Sequence, residues 1–167
     1  MAKLGSINVS SPVSEPEVTR NITILDEEPS VGAPELLIEV AYVKRETWKN
    51  ILRPLTKKGE LNQNPTTAEE KRFRHAVVNK AVRGWKGLTL TNLCRLSDAY
   101  FDRRDQLIEE GFNDTDEVDF DIETALVLCE HMNSDKFAEI VSEIGDLEPF
   151  VLERGKQEKK EGNSSSD

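Results

Sequence analysis

Residues 121–144 read DIETALVLCEHMNSDKFAEIVSEI, and the spacing predicts two short helices placed end to end. Asp121 is a strong capping residue just before an apolar-periodic run, and Glu123 sits in the first turn, where the helix dipole favours a carboxylate. Ile122, Ala125, Leu126 and Cys129 share a stripe, which predicts a helix over 122–132. Ser134 caps the next helix, whose stripe is Phe137, Ile140, Val141 and Ile144. Leu147 and Phe150 follow and are expected to close over the core.

Upstream, Thr67 and Glu70 make a capping-box pattern that opens a helix with a buried stripe of Phe73, Val77 and Ala81. Lys71, Arg72, Arg74 and Lys80 face outward, and Gly84 and Gly87 stop the helix. Before it, Gly59 to Pro65 is a polar loop. A helix at 45–56 carries Trp48, Ile51, Leu52 and Leu55 at i, i+3, i+4 and i+7, with Pro54 ending or kinking it. Ile38 to Val43 is the best strand, with Ile38, Val40 and Tyr42 on one face, and Ile22 to Leu25 is a second strand candidate. Thr89 or Thr91 caps a short helix with Leu93 and Leu96 inward. Between 98 and 119, Tyr100, Phe101, Leu107, Ile108 and Phe112 are compatible with another helix, and the acid-rich stretch after Gly111 reads as loop.

The expected architecture is mainly α: a single small domain of four to five short helices with one or two N-terminal β-strands. Residues 1–34, with Pro12, Pro16, Pro29 and Pro34, read as a mostly extended, flexible N-terminal arm. Residues 35–153 form the helical domain. Residues 154–167 contain no apolar residue and read as a disordered tail.

The chain has 167 residues, with 32 acids against 22 bases and a net charge of −10. That balance argues against a general nucleic-acid binder, which needs a Lys/Arg footprint. No apolar run approaches the ~18 residues of a membrane span, and residues 1–20 lack the pattern of a signal peptide. The charge is unevenly placed. Residues 35–97 hold 13 bases and 6 acids, whereas residues 98–130 hold 2 bases and 12 acids. Such segments can attract each other within one fold or pair head-to-tail between copies, so self-association is open.

No catalytic, cofactor-binding or metal-binding residue is assigned, and the chain is not expected to be an enzyme. Cys94 and Cys129 are too far apart for a CxxC site and lie on apolar stripes, so they read as small buried hydrophobes. His75 and His131 alone cannot supply a zinc site. The run from Asp114 to Asp121 invites a calcium reading, but the template puts Val118 at a ligand position and Asp119 where glycine is required. Gly84-Trp85-Lys86-Gly87 lacks the further glycine and Lys-Ser/Thr of a phosphate loop. It reads instead as a tight helix-to-helix turn, with Trp85 as the structural centre of the domain. No Ser or Cys has the context of a nucleophile.

The order of segments Ala81-Val82-Arg83-Gly84-Trp85-Lys86-Gly87-Leu88-Thr89, Val118 to Leu126, Phe137 to Val141 and Leu147 to Phe150 resembles tail assembly chaperones of long-tailed bacteriophages. The resemblance covers about residues 36–150. Gly84 stands where the family pattern has an acid. The motif positions it picks out are Trp85, Gly87, Phe120, Asp121 and Phe137. It implies a non-enzymatic factor of the host cytoplasm that coats the apolar helix of the phage tape-measure protein until tail tube protein polymerises around it. The alternative is a structural virion component, such as a head-tail connector, tail-completion or decoration protein, located in the virion. A third reading is a host-directed inhibitor whose acidic loop mimics nucleic acid. The physical requirement of the chaperone reading is an exposed apolar groove on a highly charged, soluble body.

Overall fold

The computed structural model describes residues 17–163. A three-stranded antiparallel sheet organises them, with strands in the order β1 (Thr19–Leu25), β2 (Leu36–Ala41) and β5 (Val82–Lys86). Ile22 stands opposite Ile38, and Ile38 opposite Trp85, while Val40 stands opposite Val82. Residues paired across an antiparallel ladder share a face, so these side chains make one apolar surface. The alternate positions, Asn21, Thr23, Glu39 and Lys86, make a polar one. A bulge between Thr23 and Leu25 lets both Ile24 and Leu25 bury themselves.

Helices cover the apolar side. They are α1 (Arg45–Leu52), α2 (Thr67–Ala81), α3 (Leu90–Leu96), α4 (Asp98–Asp102), α5 (Arg104–Glu109), α6 (Ile122–His131), α7 (Ser134–Ile144) and α8 (Leu147–Asn163). Val77, Val78 and Ala81 of α2, Leu128 and Cys129 of α6, and Ile140 and Ile144 of α7 join Ile38 and Val40 in one core. Pro54 ends α1 as expected, and Arg53–Leu55 tightens into a 3-10 turn. A small hairpin follows, β3 (Thr56–Lys57) and β4 (Glu60–Leu61). Lys58 and Gly59 both take positive φ at its tip, the turn that matches strand twist.

The mainly α reading holds, and both N-terminal strand candidates form and pair. The details differ in several places. There are eight α-helices among the described residues rather than four or five. Residues 98–109 make two of the extra ones, each too short to show a full apolar period. α8 is the third, and it runs through the region expected to be a disordered tail. Lys, Glu and Gln are strong helix formers without being apolar. A helix anchored by the fully buried Phe150 therefore continues through them, helped by an Arg154–Glu158 pair at 3.1 Å. The described part of the predicted 1–34 arm is likewise folded onto the domain. β1 buries Ile22, Ile24 and Leu25, and Arg20 lies over the Phe150 ring at 5.0 Å and pairs with Glu143. Expectations for residues 1–16 and 164–167 lie outside the described residues. Leu147 is exposed, so Phe150 alone closes the core at that end.

Caps shift by one residue. Thr66, not Thr67, caps α2, and its box partner is Glu69: Glu69 N–H donates to Thr66 Oγ1 at 3.2 Å and Thr66 N–H to Glu69 Oε2 at 2.9 Å. Asn133, not Ser134, occupies the cap position of α7. In α6 Ile122 faces solvent, and Leu128 and Met132 are buried with Ala125 and Cys129. Those four positions complete the i, i+3, i+4, i+7 stripe.

The chain turns from β5 into α3 at Gly87. Its φ is +85°, and a Cβ there would lie 2.1 Å from the Glu35 carbonyl oxygen. Asn92, fully buried on α3, donates to the Gly87 carbonyl at 2.7 Å and the Pro34 carbonyl at 2.9 Å. Gly87→Ala therefore combines a left-handed alanine with a backbone clash. It should cost roughly 3 kcal/mol or more, since overpacking and positive φ are each unfavourable by about 1–3 kcal/mol. Urea denaturation measures it, and an unchanged midpoint would contradict the geometry.

Candidate functional site: an apolar cleft between α2 and α7

Four of the five motif positions meet along β5. Trp85 is half-buried on that strand, not on a helix-to-helix turn. Its indole N–H donates to the Val118 carbonyl at 2.6 Å, and its ring meets Phe120 edge-on at 4.7 Å. Gly87 N–H donates to the Glu117 carboxylate, and Val118 N–H donates to the Leu88 carbonyl at 2.7 Å. The segment before α6 is thus tied to the sheet edge, and Trp85 is its clamp rather than the centre of the domain. Asp121 follows directly and caps α6, accepting from Thr124 N–H at 2.8 Å. The Thr124 hydroxyl, then its N–H, hold the Asp121 carboxyl below its usual range. These four residues have structural work.

Phe137 stands apart. It lies on α7 with its ring edge-on to Phe73 of α2 at 5.9 Å. Arg74, expected to face solvent, lies over the Phe137 ring, 4.7 Å from its centroid. It donates to the Cys129 and Met132 carbonyls, both at 2.7 Å, and to Ser134 Oγ at 3.2 Å. The last carbonyls of a helix lack partners and carry the negative end of its dipole. Arg74 therefore closes α6 and supports Phe137 at once. Beside this stack is an open cleft of about 370 Å³, with an apolar wall of Leu55, Pro65, Phe73, Phe137, Ala138 and Val141. Leu55 and Pro65 flank the β3–β4 hairpin. Sequence reasoning missed Pro65, Ala138 and Arg74. The signal was the placement of Phe73 and Phe137 on two stripes of unlike partners, which does not show where the stripes fail to cover each other.

A second cleft of about 380 Å³ includes Val31, Cys94 and Phe101. Arg95–Glu28 at 3.4 Å and Arg104–Asp114 at 2.9 Å are ion pairs on its walls. His75, Lys71 and Glu130 form a polar cluster beside α6, with Nε2 of His75 2.5 Å and Nζ of Lys71 3.1 Å from Glu130. Burial pushes the Glu130 carboxyl up, but hydrogen bonds from Lys71 and His75 together hold it below its usual range. Among the described residues, no three or more His, Cys, Asp or Glu side chains are grouped to hold a metal ion, and no helix is long and apolar enough to cross a membrane.

In comparisons with known proteins, no family model, curated protein or solved structure matches the chain.

Two outcomes test this arrangement. Trp85→Phe keeps the stacking on Phe120 but strands the Val118 carbonyl, so it should cost about 1–2 kcal/mol, with Trp85→Ala costing about 3 kcal/mol or more. Equal losses for the two would mean that the hydrogen bond alone matters. The Cys129 thiol is pushed up to about 12 by burial, and the half-buried Cys94 thiol is raised by the same cause. The thiolate is the reactive form. A thiol reagent at neutral pH should thus label Cys94 slowly and Cys129 only on unfolding, as mass spectrometry of the Cys94→Ser variant would reveal.

Proposed function

We propose that the chain is a non-enzymatic assembly factor of a tailed bacteriophage, a tail assembly chaperone that binds the tape-measure protein in the host cytoplasm and hands it to tail tube protein. The observation that carries the reading is the apolar cleft between α2 and α7 on a chain of net charge −10. An amphipathic helix buries its apolar face in such a groove, and strong net charge keeps the loaded complex soluble. The positions that carry the family resemblance each have a definite place in this fold: Trp85 stacks on Phe120, Asp121 caps α6, and Phe137, apart from them, forms part of the cleft wall. The structural-virion reading rests on a flexible arm and tail, such as order only on a neighbouring subunit; part of that arm, β1, is paired within the chain's own sheet, and most of that tail is the end of α8.

Co-expression with a tape-measure protein tests the proposal. The chain should co-purify with it and be missing from finished virions by mass spectrometry; stoichiometric presence in virions would overturn the proposal. Ala138 is exposed on α7 and lines the cleft, so Ala138→Glu should change stability by no more than about 0.5 kcal/mol. It should nonetheless cut capture of the tape-measure protein at least tenfold. Undiminished capture would remove the cleft from the mechanism.

A further inference from the structure

The two halves of the charge asymmetry fall on two different apolar surfaces. Residues 44–58 hold six bases and one acid. Within them, Leu55 forms part of the α2–α7 cleft, and the exposed Arg53, Lys57 and Lys58 flank it in the chain. Lys57 also pairs with Glu69 at 3.5 Å, and Glu70 lies on the cleft wall, so the local surplus of positive charge rests mainly on Arg53 and Lys58. The opposite case is the segment from α4 to Phe112, just past the end of α5. Phe101 is 64% exposed, Ile108 41% and Phe112 47%, an unusual density of bare large apolar side chains for twelve residues. Around them stand exposed acids: Asp102, Asp105, Glu109 and Glu110. Of the two bases in the same segment, Arg104 is paired with Asp114, and the exposed Arg103 donates to Gln106 Oε1 at 3.4 Å and is outnumbered by these acids.

An apolar cleft flanked in the chain by exposed bases and an exposed apolar surface rimmed by acids, the α4–α5 ridge, are complementary in sign. We infer that they are the two sides of a contact between copies of this chain. The α4–α5 ridge of one molecule docks in the α2–α7 cleft of the next. The same patch does not meet itself, so the contact is heterologous: a pair keeps one unused ridge on one molecule and one unused cleft on the other, and assembly proceeds beyond a dimer unless a ring closes. Each copy carries net charge −10, which opposes approach at low salt. At physiological ionic strength the Debye length is about 8 Å, so long-range repulsion is screened while the opposite charges in contact still set orientation.

Charge reversal on each side separately gives the test, read by sedimentation velocity at 0.15 M salt on the full chain. Wild type should form species larger than a dimer as concentration rises. Arg53→Glu/Lys58→Glu makes both surfaces acidic, and Asp105→Lys/Glu109→Lys makes both basic. Each variant alone should associate at least tenfold more weakly. Mixed together they should associate again, because each cleft then meets a ridge of opposite sign. Circular dichroism melts confirm that each variant is folded, and these substitutions are all at exposed positions. A monomeric wild type, a species that stops at two copies, reversed variants that associate as wild type, or a mixture that fails to recover would each overturn the inference. The reversed variants keep Phe137 and Val141. Their capture of tape-measure protein is therefore read separately, and failure of the chaperone reading leaves this contact standing.

Discussion

The approach of two backbones at Gly87 is the constraint on which the rest of the structure depends. The glycine lies so close to the Glu35 carbonyl that no side chain fits, and Asn92 bridges both strands from inside the core. A buried amide that satisfies two carbonyls is worth more than its bonds alone, because each carbonyl would otherwise be stranded. Three elements hang on this one point. β2 and β5 enter their ladder there, and the cap of α3 comes two residues later, with Thr89 Oγ1 accepting from Asn92 N–H at 3.3 Å. Arg95 extends the network outward, donating to Asn92 Oδ1 at 2.9 Å and the Asp26 carbonyl at 3.0 Å. The loop between β1 and β2 is thereby tied to α3.

A second polar junction does the same at the other end of the core. Ser97, fully buried between α3 and α4, donates to the His131 carbonyl, and Asn133 N–H donates to the Leu96 carbonyl at 2.8 Å. Arg74 binds two neighbouring carbonyls of the same α6–α7 corner. Both corners are places where a helix ends inside the protein, so its last carbonyls need internal donors. Their positions are fixed by chain ends that must be satisfied, and the helices between them then pack by their apolar stripes.

This division explains what was legible in the sequence. α6 and α7 could be read because their caps and stripes are local: Asp121 and Thr124 are three residues apart, and Ile140 and Ile144 four. β2 could be read because it alternates strongly. β5 could not. Val82, Arg83, Gly84, Trp85 and Lys86 are strand only because β2 pairs with them from more than forty residues away, and the two glycines look like a helix stop. Asn92 and Arg74 were illegible for the same reason. A polar residue on a helix reads as solvent-facing until its distant carbonyl partners are known. The tail failed in the opposite direction: apolar content was used as a proxy for order, whereas α8 draws on helix propensity and one anchor, Phe150.

The candidate site divides along the same line. Phe73 and Phe137 were legible as stripe residues, but a stripe does not disclose whether its partner covers it. The gap exists because the rigid parts around it have other obligations. Arg74 is held at the end of α6, which fixes Phe137 from one side. Pro54 and the Lys58-Gly59 turn lead the chain away through the hairpin, so Leu55 and Pro65 form an outer wall without descending to fill the space. An apolar cleft formed this way is set by polar and backbone geometry outside itself. It cannot collapse without breaking hydrogen bonds to helix-terminal carbonyls, and a preformed groove spares its occupant the cost of opening one. Phe101 and Ile108 stay exposed because α4 and α5 are too short to turn all their large side chains inward.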